Sequence, residues 1–251
     1  NPATLLVQVE YKALHPLLYR CCWFIYEEVA KNPLNALPVM RDVEYDLISE
    51  GLAALSIDEQ RAALLYEYLQ LLQKWNKPFN LTAIKKAEEM IPKHLMDSLS
   101  ILAHLGGARR ICDVGTGAGL PGIPLAVCCP ETEFVLLDSN GKKTRFLHQA
   151  RRHLNLNNVT IVEGRVEDFQ PEEGFDAVLS RAFADLTRMV QVTQHLLKKN
   201  GVWLAMKSQT LEAEKAALDA PVVFVEQRTL QVPGLNEARQ LAVLKFAEAT
   251  T

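Results

Sequence analysis

Nowhere in the 251 residues is there an unbroken apolar run of the roughly 18 residues that a membrane-spanning helix needs. The apolar stretch from Leu14 to Val29 is interrupted by Pro16, Arg20, Glu27 and Glu28, and no small-residue cleavage site follows it. It reads as neither an anchor nor a signal peptide, and no membrane association is expected. Cysteine is scarce and badly spaced for a framework. Cys21–Cys22 and Cys128–Cys129 are adjacent pairs, Cys112 stands alone, and no C-x-x-C occurs. An odd count in this arrangement implies neither a disulfide scaffold nor a zinc site, so reduced thiols of a cytoplasmic protein are the plain reading and no metal is expected. An excess of one charge is also missing. Lys and Arg number 27 against 30 Asp and Glu, a formal net charge of −3. The chain is therefore no general nucleic-acid coat, and a polyanion would have to meet a local patch.

What is present is an ordinary globular balance, 49% hydrophobic and 23% charged. The length suits one large domain or a domain with a helical attachment. A monomer is expected. Three regions can be distinguished. Residues 1–42 begin with Asn rather than Met, hold Pro2, Pro16, Pro33 and Pro38, and show no sustained period, so they read as an extension. Residues 43–107 are helical in pattern. Ser56-Ile-Asp-Glu59 has the form of a capping box. After it, Leu64, Leu65, Tyr68, Leu69, Leu72 and Trp75 recur at helical steps until Pro78, which is expected to end the helix. Pro92 is expected to open another, with Leu95, Leu99 and Leu102 inward.

Residues 108–251 alternate between short apolar runs and helical patterns. Strands are expected at 109–113, 133–138, 159–163, 175–180 and 201–207, with helices at 121–128, 141–154, 185–198 and 210–219. Two further strands, 222–231 and 239–247, flank the turn signal Pro233-Gly234-Leu235-Asn236. An α/β fold follows: a mostly parallel, Rossmann-like sheet ending in an antiparallel hairpin. This is the arrangement of class I S-adenosylmethionine-dependent methyltransferases, here with an N-terminal helical attachment.

The most informative segment is Ile111 to Gly122. A buried strand ends in an acid, three alternating glycines follow, and a helix opens at Pro121. Gly117, Gly119 and Gly122 satisfy G-x-G-x-x-G, which by itself also admits a nicotinamide or flavin, or a turn with no ligand. The longer pattern D-x-G-x-G-x-G, formed by Asp113, Gly115, Gly117 and Gly119, is sharper. A carboxylate before the first glycine suits the cationic amine of S-adenosylmethionine and would repel a pyrophosphate. Asp138 ends the second strand, 23 residues after Gly115, where an acid accepts from ribose hydroxyls or caps the next helix. Val166 and Glu167 follow the third strand, beside the expected adenine position. Arg181 and Phe183 follow the fourth, where the methyl group meets its acceptor. Arg181 is suited to a phosphate or a guanine edge, and Phe183 to stacking on a base or to the core.

A second constellation interleaves cations with aromatics and amides: Lys74, Trp75, Asn76, Lys77, Phe79 and Asn80, continued by Lys85, Lys86, Lys93 and His94. It is a candidate RNA-contacting surface or a solvated helix end with Trp75 and Phe79 in the core. His94 and Asp97 lie one helical turn apart, at hydrogen-bonding distance in sequence, with Ser98 beside them. Arg145, Arg151 and Arg152 decorate another helix.

The strings KWNKPFNLTAI, HLMDS, DVGTGAGLPGIPLA, LLDSNGKKTRFL, RVEDF, FDAVLSRAFA and LAMKSQ, in this order, resemble the bacterial small-subunit ribosomal RNA guanine-N7 methyltransferases, historically the glucose-inhibited division protein B family. The resemblance spans about 60 to 210. It implies an enzyme that transfers methyl from S-adenosylmethionine to N7 of a guanine in 16S rRNA, with the 30S subunit as partner and the cytoplasm as its location. The family's cofactor contacts fall on Gly115, Leu120, Val166, Glu167 and Arg181, and Arg181 is the expected catalytic residue. Because the capped helix and the sheet lie after the pattern break near 42, a chain beginning at Val43 should fold and keep full cofactor affinity. Thermal unfolding and calorimetry check this; an unfolded or non-binding truncation would assign the first 42 residues to the core.

Overall fold

The computed structural model describes residues 42–181, 183, 185–208, 211–218 and 222–247. The reading of 1–42 as an extension concerns residues outside these, Asp42 apart.

Seven strands form one sheet: β1 (Arg110–Val114), β2 (Glu133–Asp138), β3 (Val159–Glu163), β4 (Phe175–Ser180), β5 (Leu197–Lys207), β6 (Val222–Leu230) and β7 (Arg239–Phe246). Their order is β3-β2-β1-β4-β5-β7-β6. The first five are parallel, and β7 runs antiparallel to both β5 and β6. The Gly234 turn, at φ +74°, joins the hairpin. The chain winds outward from β1 to β3, then returns to the middle and leaves by β4 and β5. That reversal between β1 and β4 opens a crevice at the carboxyl ends of the strands.

Alternation along the strands divides the core between two faces. Ile111, Leu136, Leu179 and Leu204 join one apolar cluster, while Cys112, Val135, Val178 and Trp203 join the other. Helices α1 (Val43–Ala54) and α2 (Ala62–Phe79) contribute Ile48, Leu52, Leu65, Tyr68, Leu69 and Leu72 to the first cluster. The helical section and that sheet face therefore share one core. Each fully buried leucine there contributes about 2 kcal/mol. After α3 (Ala87–Met90) the chain continues through a wider π-type stretch, Ile91–Met96, into a last turn, Asp97–Leu99. Within the sheet region lie α4 (Gly122–Cys128), α5 (Gly141–His153), α6 (Leu186–Thr193) and α7 (Glu212–Ala216).

Several local expectations are corrected. The capping box does not form. Ser56 sits at φ +57° after α1, and Asp58 caps instead, accepting from Gln60 N at 2.9 Å ahead of a short 3₁₀ turn. Pro78 lies inside the last turn of α2, where its missing N–H removes only one bond, and Asn80 ends the helix in the left-handed region. Pro92 is carried inside a helix already begun at Ala87. Pro121 is the residue before α4, not its first. α6 is shorter than expected because Leu197 already pairs with Phe175 as β5 begins, and α7 spans only Glu212–Ala216.

Two polar residues expected at an RNA surface, Asn76 and His94, are instead buried within the helical section. Asn76 Oδ1 accepts from Thr82 N and its amide donates to Ile84 O, both at 2.9 Å, closing the loop after α2. His94 does not bond Asp97. Its Nε2 lies 2.8 Å from Thr82 Oγ1 and its Nδ1 3.1 Å from Lys93 O. Lys93 O can only accept, so the neutral ring carries its proton on Nδ1, and Nε2 accepts from the Thr82 hydroxyl. Burial, helped by the Arg181 cation, holds this imidazole down at about 4. A neutral ring is favoured in the folded state, so its stabilising effect is complete above the ordinary histidine range and is lost as pH falls from about 6.5 toward 4. Relative to His94→Gln, the native chain should gain about 3 kcal/mol of unfolding free energy across that window and nothing more above it. Urea unfolding at stepped pH measures the difference; a constant offset would show that the ring does not titrate between folded and unfolded states.

Candidate active site

The glycine turn between β1 and α4 is anchored at both ends by backbone and from within by acids. Gly115 N and Thr116 N both donate to Leu137 O of β2, at 2.8 and 3.2 Å. Leu120 is buried, and its N–H returns to Thr116 O. Asp113, next to last in β1, is fully buried. Its Oδ2 accepts from Thr116 Oγ1 at 2.6 Å and from Gly122 N at 2.8 Å. Burial pushes this carboxyl up to about 6, against the pull of those two bonds and of Arg181. Its Oδ1 is buried with no hydrogen-bond partner among the described residues.

The glycines divide by role. A Cβ on Gly119 would lie 2.4 Å from Ile123 Cγ1, and one on Gly122 would lie 2.2 Å from Leu136 Cδ2. These two let helix and strand approach. Gly117 is different: at φ +64° a Cβ would meet nothing nearer than Lys143 Nζ at 3.9 Å. Its missing side chain leaves open space above the turn.

Asp138 stands at the end of β2, nearly buried. Its Oδ2 accepts from Gly117 N at 2.9 Å and lies 3.4 Å from Lys143 Nζ, while Oδ1 accepts from Asn140 N at 2.9 Å. The cap of α5 is Asn140, whose Oδ1 accepts from Lys142 N. Asp138 therefore braces the glycine turn. A carboxylate has about four lone-pair sites, so Oδ1 retains acceptor capacity. After β3, Val166 begins a short 3₁₀ turn and packs into the second core cluster, while Glu167 is exposed and pairs with Arg188 at 3.0 Å.

Arg181 follows β4 directly. Its Nη1 donates to Asp97 Oδ2 at 3.1 Å and to Lys93 O at 3.2 Å. Arg239 Nε lies 3.2 Å from the other Asp97 oxygen, an ion pair without the alignment of a hydrogen bond. Burial raises the Asp97 carboxyl, and the two guanidinium groups pull it back. Phe183 is half-buried against the second cluster, and its carbonyl accepts from Lys207 Nζ at 3.2 Å.

Two residues that carry this arrangement were not singled out for it in the sequence. Tyr68, read as part of a core face, donates its hydroxyl to Ala118 O at 2.7 Å across 50 residues. It ties α2 to the glycine turn, and burial raises its phenol above the usual range. Asp97 was placed with His94 instead of with Arg181. No local pattern marks either contact, because both partners are distant in sequence. The structure brings Asp113, Gly115, Gly117, Gly119, Leu120 and Asp138 together at one strand edge. Lys74, Lys77 and Asn80 lie exposed at the end of α2, with Lys85 and Lys86 exposed just beyond. Trp75 and Phe79 stack there at 5.1 Å between ring centres. Among the described residues no cluster of His, Cys, Asp or Glu is arranged to hold a metal ion.

Solved structures similar to this chain include the mitomycin 7-O-methyltransferase, with a TM-score of 0.51 and 16% identity over 61% of this chain and 54% of that one. A chain of the complex between the Haloferax volcanii Trm112 methyltransferase activator and the putative methyltransferase is also similar, with a TM-score of 0.51 and 16% identity over 64% of this chain and 93% of that one. At this identity they show the fold alone, that of class I methyltransferases. Sequence relatives are nearer. A Ribosomal RNA small subunit methyltransferase G of Photobacterium profundum is 50% identical over 76% of this chain and 92% of its own length. One of Nitrosococcus oceani is 48% identical over 82% and 97%, and one of Vibrio cholerae 49% identical over 84% and 98%. The family described as GidB, rRNA small subunit methyltransferase G, matches residues 61–242, and the chain belongs to that family.

Proposed function

We propose that this chain transfers a methyl group from S-adenosylmethionine to N7 of a guanine in 16S rRNA of the small ribosomal subunit, in the cytoplasm. The observation that carries the reading is the buried carboxylate under an open glycine turn. Asp113 keeps one oxygen unpartnered beneath the turn, and Gly117 leaves space above it. A cationic amine suits that oxygen, and a pyrophosphate does not.

When bound, S-adenosylmethionine supplies a methyl carbon on a sulfonium, open to in-line displacement. Asp113 attracts the amine end. Asp138, through the remaining capacity of Oδ1, accepts from ribose. Gly115 and Leu120 shape the turn against the ligand, and the Val166–Glu167 backbone borders the adenine. Arg181 orients the guanine or its phosphate at the acceptor end, and Phe183 lies beside it. Guanine N7 carries an in-plane lone pair and no proton at neutral pH, so the residues need only hold and orient. This agrees with the state of the nearby groups: His94 is buried and neutral, and Asp97 is committed to two arginines.

The direct test is transfer of labelled methyl to 30S subunits and to naked 16S rRNA, with the modified base mapped. Label at guanine N7 is expected; transfer to a small molecule only, or to another base, overturns the assignment. By calorimetry, S-adenosylmethionine and its demethylated product should bind, and NAD should not. Gly117→Val should abolish that binding while the protein still unfolds cooperatively, because the substitution strains a left-handed residue and fills the open space. The exposed cations Lys74, Lys77 and Lys86 are proposed to meet RNA phosphates. Changing all three should flatten the salt dependence of RNA binding by roughly one unit of slope per lost contact and leave cofactor affinity unchanged. An unaltered slope would move the RNA path elsewhere, to Arg145, Arg151 and Arg152 on α5.

A further inference from the structure

Asp97 contacts two cations from two other parts of the fold. Its side chain is only 4% exposed, yet it takes Arg181 from the loop after β4 and Arg239 from the start of β7. An isolated carboxylate at that depth would be strongly disfavoured, and two guanidinium groups more than neutralise it. Arg239 in turn is held by Glu237, and Glu237 by Lys93, so the C-terminal hairpin and the helical section meet at this carboxylate.

The geometry at Arg181 is specific. Nη1 carries two N–H groups, and two acceptors, Asp97 Oδ2 and Lys93 O, stand at 3.1 and 3.2 Å from it. A planar guanidinium gripped through both protons of one nitrogen has its plane fixed, and its five donors exceed these two bonds. Both acceptors come from the helical section. Arg181 is also near enough to Asp113 for its charge to lower that carboxyl, so the grip is exerted beside the glycine turn.

We propose that Asp97 is a positioning residue for methyl transfer, fixing the plane of the Arg181 guanidinium at the acceptor end. It acts on the acceptor only through Arg181. The proposal rests on the assignment of Arg181 given above. Through Asp97, the section that carries the exposed lysines also sets the orientation of the arginine beside the reacting atoms.

The test is a double-mutant cycle on single-turnover methyl transfer to 30S subunits, using Asp97→Asn, Arg181→Ala and the pair. Asp97→Asn should slow transfer by about 10- to 100-fold in the native background, as expected when a reacting group is misaligned by about an ångström. In the Arg181→Ala background the same change should slow it by less than about threefold, since the two residues act as a unit. Equal losses in both backgrounds would show that Asp97 serves the fold alone, and no loss in the native background would remove it from the reaction; either overturns the proposal. An Arg181→Ala protein that methylates normally overturns the assignment of Arg181 itself, and the proposal with it, which distinguishes the two failures. Should Asp97→Asn not fold, Asp97→Glu keeps the charge and moves the carboxyl by one methylene, and the same cycle with the same expected outcomes applies.

Discussion

A turn with three glycines at positive φ has no reason to hold one shape by itself, and its support is the interaction on which the site depends. Asp113 grips it from below through Thr116 Oγ1 and Gly122 N, Asp138 from the side through Gly117 N, and Tyr68 from the facing helix through Ala118 O. Three donors on the turn meet two buried carboxylates, and one carbonyl of the turn meets a buried hydroxyl. In low dielectric each of these bonds is stronger than in water, and each would be costly to leave unmade. The glycines give the chain permission to bend; the acids and the tyrosine choose the bend.

That choice has an electrostatic cost, distributed over the strand edge. Asp113, Asp138 and Asp97 are all buried, and burial raises both Asp113 and Asp97. Lys143 stands against Asp138, and Arg181 and Arg239 against Asp97. Among the described residues Asp113 has no ion-pair partner, and its Oδ1 has neither a hydrogen bond nor a cation beside it, whereas Asp97 Oδ1 has Arg239. Carboxylate burial is compensated wherever the protein supplies its own cation and left uncompensated beside the open turn. A ligand that brings its own positive charge completes the balance there. A chain with net charge −3 thus gathers acids at one edge while keeping lysines exposed at the end of α2.

The legibility of the fold follows the range of the physics involved. Parallel strands covered on both faces must be short apolar runs, so β2, β3 and β4 are readable to the residue, and the acid–glycine string marks the turn because its chemistry is contiguous. Errors arise where a local motif competes with tertiary contacts. Ser56 and Glu59 have capping-box spacing, yet the chain must turn sharply between α1 and α2, and Ser56 takes the left-handed position that turn requires. Asn76 and His94 sit among lysines in the sequence and read as surface. The loop after α2 needs its backbone groups satisfied, which draws Asn76 inward, and His94 is drawn in to meet the Thr82 hydroxyl. The Tyr68–Ala118 and Asp97–Arg181 contacts cross 50 and 84 residues and have no spacing rule that betrays them.

Those long-range contacts change what the helical section is. From periodicity it is an attachment to a methyltransferase sheet. In the structure its buried leucines share a core with β1, β2, β4 and β5, its Tyr68 holds the glycine turn, and its Asp97 and Lys93 carbonyl hold Arg181. An α/β sheet of this kind supplies a generic cleft at its switch point, and one fold hosts many chemistries around such a cleft. What is particular to this chain comes from outside the alternating units. The same short stretch, from Tyr68 to Asp97, presents lysines outward and grips the turn and the acceptor-side arginine inward. A large substrate held on its outer face, as proposed above, would thereby be joined through packed side chains of one core to the geometry at the reacting end.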